Sequence, residues 1–377
     1  MDFALTAEHE MLREAARDFL ESEVDLAPLL VPGATVEQAA RSALWAKMSD
    51  LGWPSLIVPE TFGGLGMSHV DLAMIVGEAG RTLAPAPLFG TLAGTFAILA
   101  AGSDAQKDEF LAPVAAGACR LALALADVAG RGIGTPLEDV RAEQTAQGMC
   151  LTGIRRFAVD AASADRIVIC APWEGESRWF VVDAAAAGVT IERVEWRDIT
   201  REVCTVVLDS APAVMLDRGG EAVWPAIRDR LYLVLAAESA GGLHAVLDDT
   251  VAYAKERVAF GRPIGAFQAI KHQLAEMKGQ AECASAAILY AAWALDENPA
   301  RAPVAAAMAQ SYASEAYCEA AHRSIQIFGA IGFTWEMRNH LFFKRARANA
   351  ALLGAPAQLR SDMLAALVAH RAMLAPA

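Results

Sequence analysis

The hydrophobic periodicity of this chain changes twice, and that change limits the folds open to it more than any other feature. From Leu5 to about Pro113, apolar residues recur at three- and four-residue spacing, which is the spacing of one face of an α-helix. Between about residues 118 and 212 the apolar runs are short, as in GMCLTGIRRFAV and SRWFVVD, and polar turns separate them, which is typical of β-strands. From about residue 219 the helical spacing returns in longer segments. The order helices, strands, helices predicts an α+β protein.

We therefore predict three domains. They are an N-terminal all-α domain over residues 1–117, a small middle β domain of barrel or sandwich type over residues 118–218, and a C-terminal four-helix bundle over residues 219–377. The long helices of the last segment carry apolar residues on several faces, which predicts burial in a bundle core or an oligomer interface.

Composition excludes several classes of protein. Although 55% of the residues are hydrophobic, alanine supplies much of this fraction, and no run of about 18 strongly apolar residues predicts membrane insertion. A net charge of −13 argues against nucleic acid as a partner, because binding a phosphate backbone normally needs a basic patch. The first twenty residues mix acidic and apolar residues, unlike a signal or transit peptide, so we expect a cytoplasmic location.

The cysteines indicate neither a metal site nor a disulfide framework. All six are scattered without a CxxC pair, so we expect buried thiols and no metal. They are Cys119, Cys150, Cys170, Cys204, Cys283 and Cys318.

The stretch ERVAFGRPIGAFQAIKHQLAEM, which begins at Glu256, is a polar junction between two long helical segments. It resembles the first signature of the acyl-CoA dehydrogenase family, and QIFGAIGFTWEMRNHLFFKRA, which begins at Gln326, resembles the second. With the helix, strand, helix order, the resemblance covers nearly the whole chain. It implies a tetrameric flavoprotein that uses FAD to desaturate an acyl-CoA thioester and passes the electrons to an acceptor of the electron-transfer-flavoprotein type.

The resemblance also implies which residues contact the pyrophosphate and adenosine half of an FAD whose flavin ring lies in the neighbouring subunit. They are Arg257, Phe260 and Gln268 from the first signature, and Gln326 and Gly329 from the second. The planar donors of an arginine suit a pyrophosphate because they can bridge two oxygens. Ala330 departs from the paired glycines of the family. The alternative reading is a helix-capping turn in which Arg257 only extends over the surface.

On the flavin-ring side the sequence departs from the family more strongly. Ala126 and Gly132 stand where hydroxyl residues are usual, and Phe157 and Val159 replace a Trp and a Thr or Ser. Valine keeps the shape but removes a donor that would face the flavin, and a lost buried hydrogen bond costs about 1 kcal/mol or more. Phe157 either stacks on a ring or is a core aromatic residue.

Both positions that hold the catalytic glutamate in the family lack a carboxylate here. Ungapped alignment with the family pattern places Gly354 at one of these positions and Leu231 at the other. Tyr232 follows Leu231 where an arginine is common in the family. Asp229 is two residues from Leu231 and should point away from the same pocket. Glu238 lies about 10 Å further along the helix and is a candidate for a relocated base, although pairing with an arginine is the alternative.

These departures resemble the second subunit of the α2β2 acyl-CoA dehydrogenases of bacterial steroid side-chain degradation, which completes the FAD site of a catalytic partner. We therefore expect a non-catalytic, half-site subunit of such a complex. Two alternatives stay open: a homotetrameric dehydrogenase that uses Glu238 as its base, and an acyl-CoA-binding scaffold without a redox role. Small residues at Ala240, Gly241 and Gly242 fit either a wide pocket for a bulky acyl group or a tight helix interface.

Overall fold

The computed structural model describes residues 5–126, 139–220 and 223–374, with side chains as far as residue 368. The N-terminal part is helical, which confirms the prediction from the apolar spacing between Leu5 and about Pro113. Thr6 and Ser68 begin two of these helices with capping boxes, in which the side chain of the cap residue binds a backbone amide of the first turn. The helices are α1 (Ala7–Glu23), α2 (Gln38–Asp50), α3 (His69–Arg81), α4 (Leu88–Ala101) and α5 (Asp104–Ala115).

The middle part forms one seven-stranded sheet. Six of its strands follow the order β1-β4-β5-β7-β3-β2, and the seventh, β6, pairs with a different part of β7 from the one that pairs with β5. Five of its strands fall on the apolar runs of the sequence. The other two, β2 and β6, were missed because most of their side chains are half-buried or exposed, so they lack an apolar run. The strands are β1 (Leu121–Ala124), β2 (Val140–Thr145), β3 (Gly148–Val159), β4 (Arg166–Trp173), β5 (Glu176–Asp183), β6 (Val189–Arg193) and β7 (Val203–Met215).

The C-terminal part is helical again, apart from a short hairpin of β8 (Val258–Ala259) and β9 (Arg262–Pro263). The predicted α+β class, with helices on both sides of a middle β domain, is confirmed. The limits drawn at residues 117/118 and 218/219 fall in the connections that flank the sheet. The helices are α6 (Val223–Glu256), α7 (Gln268–Glu297), α8 (Ala302–Phe328), α9 (Asn339–Leu352) and α10 (Pro356–Leu374).

Helix α6 lies at the centre and packs against α3 and α8. The small residues in its middle serve this packing. A Cβ atom on Gly241 would lie 1.8 Å from the carbonyl oxygen of Gly77 on α3, and one on Gly242 would lie 2.4 Å from the Tyr317 ring on α8. These glycines therefore let two helices approach closely, which is the second of the two readings of their small size.

The cysteines are free, as expected, but the prediction that all of them are buried is wrong. Cys283 is exposed on α7 and Cys318 is partly exposed, because both lie on helix faces that the described residues leave uncovered. Within the described residues, no cluster of histidine, cysteine and carboxylate side chains could hold a metal ion. None of the described helices is long and apolar enough to cross a membrane.

Candidate functional site

The first signature begins at a tight hairpin that exposes an aromatic ring. Phe260 and Gly261 form its two-residue turn, with φ angles of 52° and 79°, and both positive values are those of a type I′ turn. Phe260 is 94% exposed. Its ring makes an edge contact with Phe267, on which the Arg262 guanidinium also lies, 4.2 Å from the ring centre.

A stacked pair of rings brings the two signatures together. Tyr253, in the last turn of α6, stacks on Phe328 at the end of α8 with ring centres 4.0 Å apart. The backbone amide of Arg257 donates to the Tyr253 carbonyl at 2.8 Å. The five residues predicted to contact FAD, Arg257, Phe260, Gln268, Gln326 and Gly329, are all exposed. Each of them is therefore accessible to another molecule.

The residues expected at the flavin ring lie at the end of β3. Phe157 has a positive φ angle of 55° at an irregularity in the pairing of β3 with β7, and its ring lies 5.8 Å from that of Trp196. Val159 is buried and pairs with Val203. Ala126 accepts a hydrogen bond from the backbone amide of Arg156 at 3.0 Å, and Gly132 lies outside the described residues.

Neither position expected for the catalytic base has a carboxylate side chain, and the nearby Asp229 is paired with an arginine. Leu231 is 0% exposed in the centre of α6, and Gly354 lies between α9 and α10. Asp229 is held by the neighbouring Arg228, whose Nη2 lies 2.8 Å from its carboxylate, and burial raises the pKa of Asp229.

Glu238 is enclosed by two arginines. Nη2 of Arg201 donates to both carboxylate oxygens, at 2.5 and 2.6 Å, and Nη1 of Arg345 donates to one of them. Burial alone would raise the pKa of Glu238, but the charges of Arg201 and Arg345 outweigh it and lower the pKa below its usual range. A fully paired carboxylate of low pKa is a poor proton acceptor, so the geometry weighs against Glu238 as a base.

Arg345 extends this ion pair into a network. It also donates to Asp198 and, at 2.6 Å, to the Thr200 hydroxyl, both in the segment between β6 and β7. The network therefore ties the β domain to α6 and α9. Sequence reasoning missed Arg201, Arg345 and Asp198, because residues this far apart in the chain show no common motif.

A small cavity of about 40 Å³ lies beside the network, between α3, α4 and α6. Asp160 lines it, accepts a hydrogen bond from the Gly90 amide at 3.0 Å, and has its pKa raised to about 6 by burial. Arg201 faces it with a buried Nη1 that has no hydrogen-bond partner among the described residues. A cavity of this volume has room for one or a few water molecules only, whereas ligand pockets measure about 300–1,000 Å³.

A larger groove of about 570 Å³ runs along the outer face of α9, and we name it the α9 groove. Its surface is mostly apolar and aromatic, with cationic side chains among the rings. The residues that line it are Trp196, Arg197, Asp198, Ile325, Phe333, Trp335, His340, Phe343, Lys344, Arg347, Ala348 and Ala351.

Known proteins match this chain over nearly its full length. Residues 6–118 match the N-terminal domain of acyl-CoA dehydrogenases and residues 230–368 match their C-terminal domain. The acyl-CoA dehydrogenase IpdE2 of Mycobacterium tuberculosis is 32% identical over 93% of this chain and 95% of its own length.

Solved structures show the same architecture. The ChsE4-ChsE5 complex of Mycobacterium tuberculosis contains a chain that is 25% identical, with a TM-score of 0.84 over 100% of both chains. A chain in a variant of the Tcur3481-Tcur3483 steroid ACAD is 27% identical, with a TM-score of 0.84 over 97% of this chain and 99% of its own. The family consists of FAD-dependent oxidoreductases that act on CH–CH groups, and on these matches the chain belongs to the acyl-CoA dehydrogenase family.

Proposed function

We propose that this chain is a subunit of an FAD-dependent acyl-CoA dehydrogenase that completes the FAD site of a partner chain and does not itself abstract the proton. The observation that carries the proposal is the cavity of about 40 Å³ between Asp160, Arg201 and Glu238. The residues aligned with the flavin contact and with one base position, Val159 and Leu231, are buried in the same region of the fold. An acyl thioester and a flavin ring together need far more room than this cavity offers.

The chemistry of the reaction supports the same assignment of roles to the two chains. FAD, when bound, accepts the hydride from the β-carbon, while a carboxylate must take the proton from the α-carbon. Glu238 is neutralised by Arg201 and Arg345, and Leu231 and Gly354 have no carboxylate to offer. We therefore assign proton abstraction to the partner.

The exposed signature residues fit the other half of the cofactor. Arg257 is exposed and forms no ion pair with a described residue, so its guanidinium is available to a pyrophosphate. Phe260 offers a ring face and Gln268 an amide. At the flavin-ring side, by contrast, Val159 offers no hydroxyl, so the residues present fit the adenosine half of FAD and not the ring.

The partner is a second acyl-CoA dehydrogenase-like chain, in an α2β2 assembly. Two structural relatives support this assignment, because each is named as a pair of different chains, ChsE4-ChsE5 and Tcur3481-Tcur3483. The latter is called a steroid ACAD, so we propose a bulky, polycyclic acyl-CoA as the substrate of the complex. An acceptor of the electron-transfer-flavoprotein type would reoxidise the flavin.

The test is the flavin content of the purified chain, alone and after co-expression with a second dehydrogenase-like chain. We expect no bound FAD for the chain alone and about one FAD per two chains in the complex. Arg257→Gln should lower the flavin content of the complex, while Arg13→Gln, on the exposed face of α1, should not. A chain that by itself binds one FAD and oxidises acyl-CoA would overturn the proposal.

The two alternatives give different results in the same experiment. A homotetrameric dehydrogenase with Glu238 as its base would be yellow and active alone, and Glu238→Gln would abolish turnover without changing the fold or the flavin content. A scaffold without a redox role would stay colourless with every partner.

A further inference from the structure

We propose that the cavity of about 40 Å³ between α3, α4 and α6 binds one monovalent anion the size of a halide ion, held between the carboxyl group of Asp160 and an unpartnered N–H of Arg201. This inference goes beyond the proposed function, for which the cavity matters only because acyl-CoA and a flavin ring do not fit in it. None of the five signature residues lines the cavity.

Arg201 brings a buried hydrogen-bond donor to the cavity. Its Nη2 donates to both carboxylate oxygens of Glu238, at 2.5 and 2.6 Å. Its Nη1 is also buried but has no hydrogen-bond partner among the described residues, and the whole residue is only 7% exposed. A buried donor of a charged group is costly to leave without an acceptor. An acceptor inside the cavity would remove this cost.

Asp160 supplies a second donor when it is protonated. Its Oδ2 accepts a hydrogen bond from the Gly90 amide at 3.0 Å, and no described side chain hydrogen-bonds its carboxyl group. Because burial raises the pKa of Asp160 to about 6, the neutral acid with its O–H is well populated in mildly acidic solution. One ion fills much of so small a cavity, so a single anion can accept from both Asp160 and Arg201.

The walls of the cavity select a small, weakly hydrated ion. Most of them are apolar side chains, among them Val76, Leu92 and Val234, which cannot replace the hydrogen bonds of a hydration shell. Chloride and bromide lose their water more readily than fluoride or sulfate, and a bare chloride ion is little larger than a water molecule. Ala84 and Phe89 also line the cavity and are half-buried, which gives an ion a route of entry beside them.

The charges around Asp160 balance when it is ionised and leave one positive charge when it is protonated. Among the described residues, four arginines and four carboxylates line the cavity, act on Asp160 or pair with these groups. Besides Asp160, they lie on α2, β6, the segment between β6 and β7, α6 and α9, while the lining residues of α3 and α4 are uncharged. A proton on Asp160 and an anion beside it should therefore strengthen each other's binding. The charged groups are Arg41, Arg193, Arg201, Arg345, Asp160, Asp198, Glu202 and Glu238.

The test is a titration of the full-length chain with chloride at constant ionic strength, with sulfate as the replacing anion and the width of the chloride NMR signal as the readout. We expect saturable broadening at pH 6 and roughly tenfold or more weaker binding at pH 8, because the protonated fraction of Asp160 falls by at least that factor. Bromide should compete, and fluoride at the same concentration should not. No saturable broadening at pH 6 would mean that water fills the cavity, and would overturn the proposal.

Two aspartate variants test the coupling to the proton. Asp160→Asn has an N–H donor and no charge at any pH, so it should bind chloride about equally well at pH 6 and pH 8. Asp209→Asn, at an exposed position of β7, is the matched control and should keep the pH dependence of the unaltered chain. Loss of chloride at pH 8 in folded Asp160→Asn would contradict the role of Asp160.

Two further variants locate the ion. Ala79→Val places methyl groups in the cavity without changing its charges, and Arg201→Lys keeps a cation beside Glu238 but removes the second N–H arm. Each should weaken chloride binding by roughly tenfold or more, as expected for loss of the space or of a charge-assisted hydrogen bond. Circular dichroism shows whether each variant is folded. Unchanged affinity in both folded variants would place the ion elsewhere and overturn the proposal.

Bromide gives a direct view of the site and separates this inference from the proposed function. Anomalous diffraction from crystals soaked in bromide at pH 6 should show one ion in the cavity beside Nη1 of Arg201, whereas bromide at the surface alone would contradict the site. Ala79→Val should leave the flavin content of the co-expressed complex unchanged. A chain that binds chloride but supplies no flavin site would support this inference and contradict the proposed function.

Discussion

At the scale of single residues, Glu238 shows how surroundings decide what a carboxylate does. It has the right chemistry for a base and lies on the helix that also carries Leu231. Arg201 and Arg345 nevertheless hold it as a buried ion, and a buried ion is costly to leave without its partners. Sequence reasoning named Glu238 and weighed an arginine partner, but only the fold identifies Arg201 and Arg345.

The first prediction concerns this ion pair. Glu238→Gln should destabilise the chain by about 3–5 kcal/mol, because the buried Arg201 guanidinium loses its counter-charge and Arg345 keeps only that of Asp198. Urea unfolding measures the change. The control is Glu315→Gln, which removes an exposed pair with Arg360 and should cost about 0–1 kcal/mol. A Glu238→Gln chain of unchanged stability and lost activity would instead identify a base.

The second prediction concerns the pH dependence of stability through Asp160. Its pKa in the folded state is about 6, above the ordinary value of 3.8, because burial disfavours the charged form. The folded state therefore binds the proton more tightly, and the contribution of this proton to stability is complete below about pH 4 and lost as the pH rises through 6.

Asp160→Asn removes this dependence and can still accept the hydrogen bond from the Gly90 amide. The difference in unfolding free energy between the variant and the unaltered chain should rise by about 3 kcal/mol from acid to neutral pH. Urea unfolding at several pH values measures it. A difference that stays constant over this range would show that Asp160 ionises normally.

At the scale of elements, hydrophobic periodicity predicted the helices and strands that have an apolar face, and it did not predict the polar strands. Helices and strands with one or two apolar faces, such as α1 and β3, were found close to their true limits. The strands β2 and β6 were not found, because a polar edge strand forms by hydrogen bonding to the neighbouring strand and its own sequence has no apolar alternation. The small residues of α6 are visible in the sequence, but the residues of α3 and α8 that pack against them can be identified only from the tertiary structure.

The third prediction tests the contact of α6 with α3. Gly241→Ala should destabilise the chain by about 1–3 kcal/mol or more, because the added methyl group would meet the backbone of Gly77. Gly279→Ala, in the exposed face of α7 where nothing lies within 4 Å, should stabilise it by about 0.5–1 kcal/mol. Thermal unfolding of the pair gives the comparison, and equal effects would mean that α3 and α6 are further apart.

At the scale of the whole molecule, part of the apolar surface is exposed in the single chain. Leu364, Leu367 and Val368 form an exposed stripe at helical spacing on α10, and we expect it to lie in an interface between subunits. The family resemblance predicted assembly from the sequence. The sequence could not predict which surface is used, since apolar residues in a buried helix and in an interface helix follow the same pattern.

The fourth prediction follows from this stripe. Leu364→Glu with Leu367→Glu should shift the assembly to a smaller species, because charges in an apolar interface are costly to desolvate. Light scattering after size-exclusion chromatography measures the mass. Met11→Glu, at an exposed position of α1, should leave the mass unchanged. If the double variant keeps the mass of the unaltered protein, α10 lies outside the interface.

The hairpin that presents Phe260 has a consequence for how such an enzyme responds to its own abundance. If half of a cofactor site is supplied by another chain, cofactor retention follows the association equilibrium of the chains as well as the affinity for the cofactor. Dilution should therefore release FAD together with dissociation, and a cell that makes one chain in excess gains no additional sites. The two-residue turn at Phe260 and Gly261 leaves the Phe260 ring exposed for such an encounter, and under this arrangement the amount of the scarcer chain would set the number of active sites.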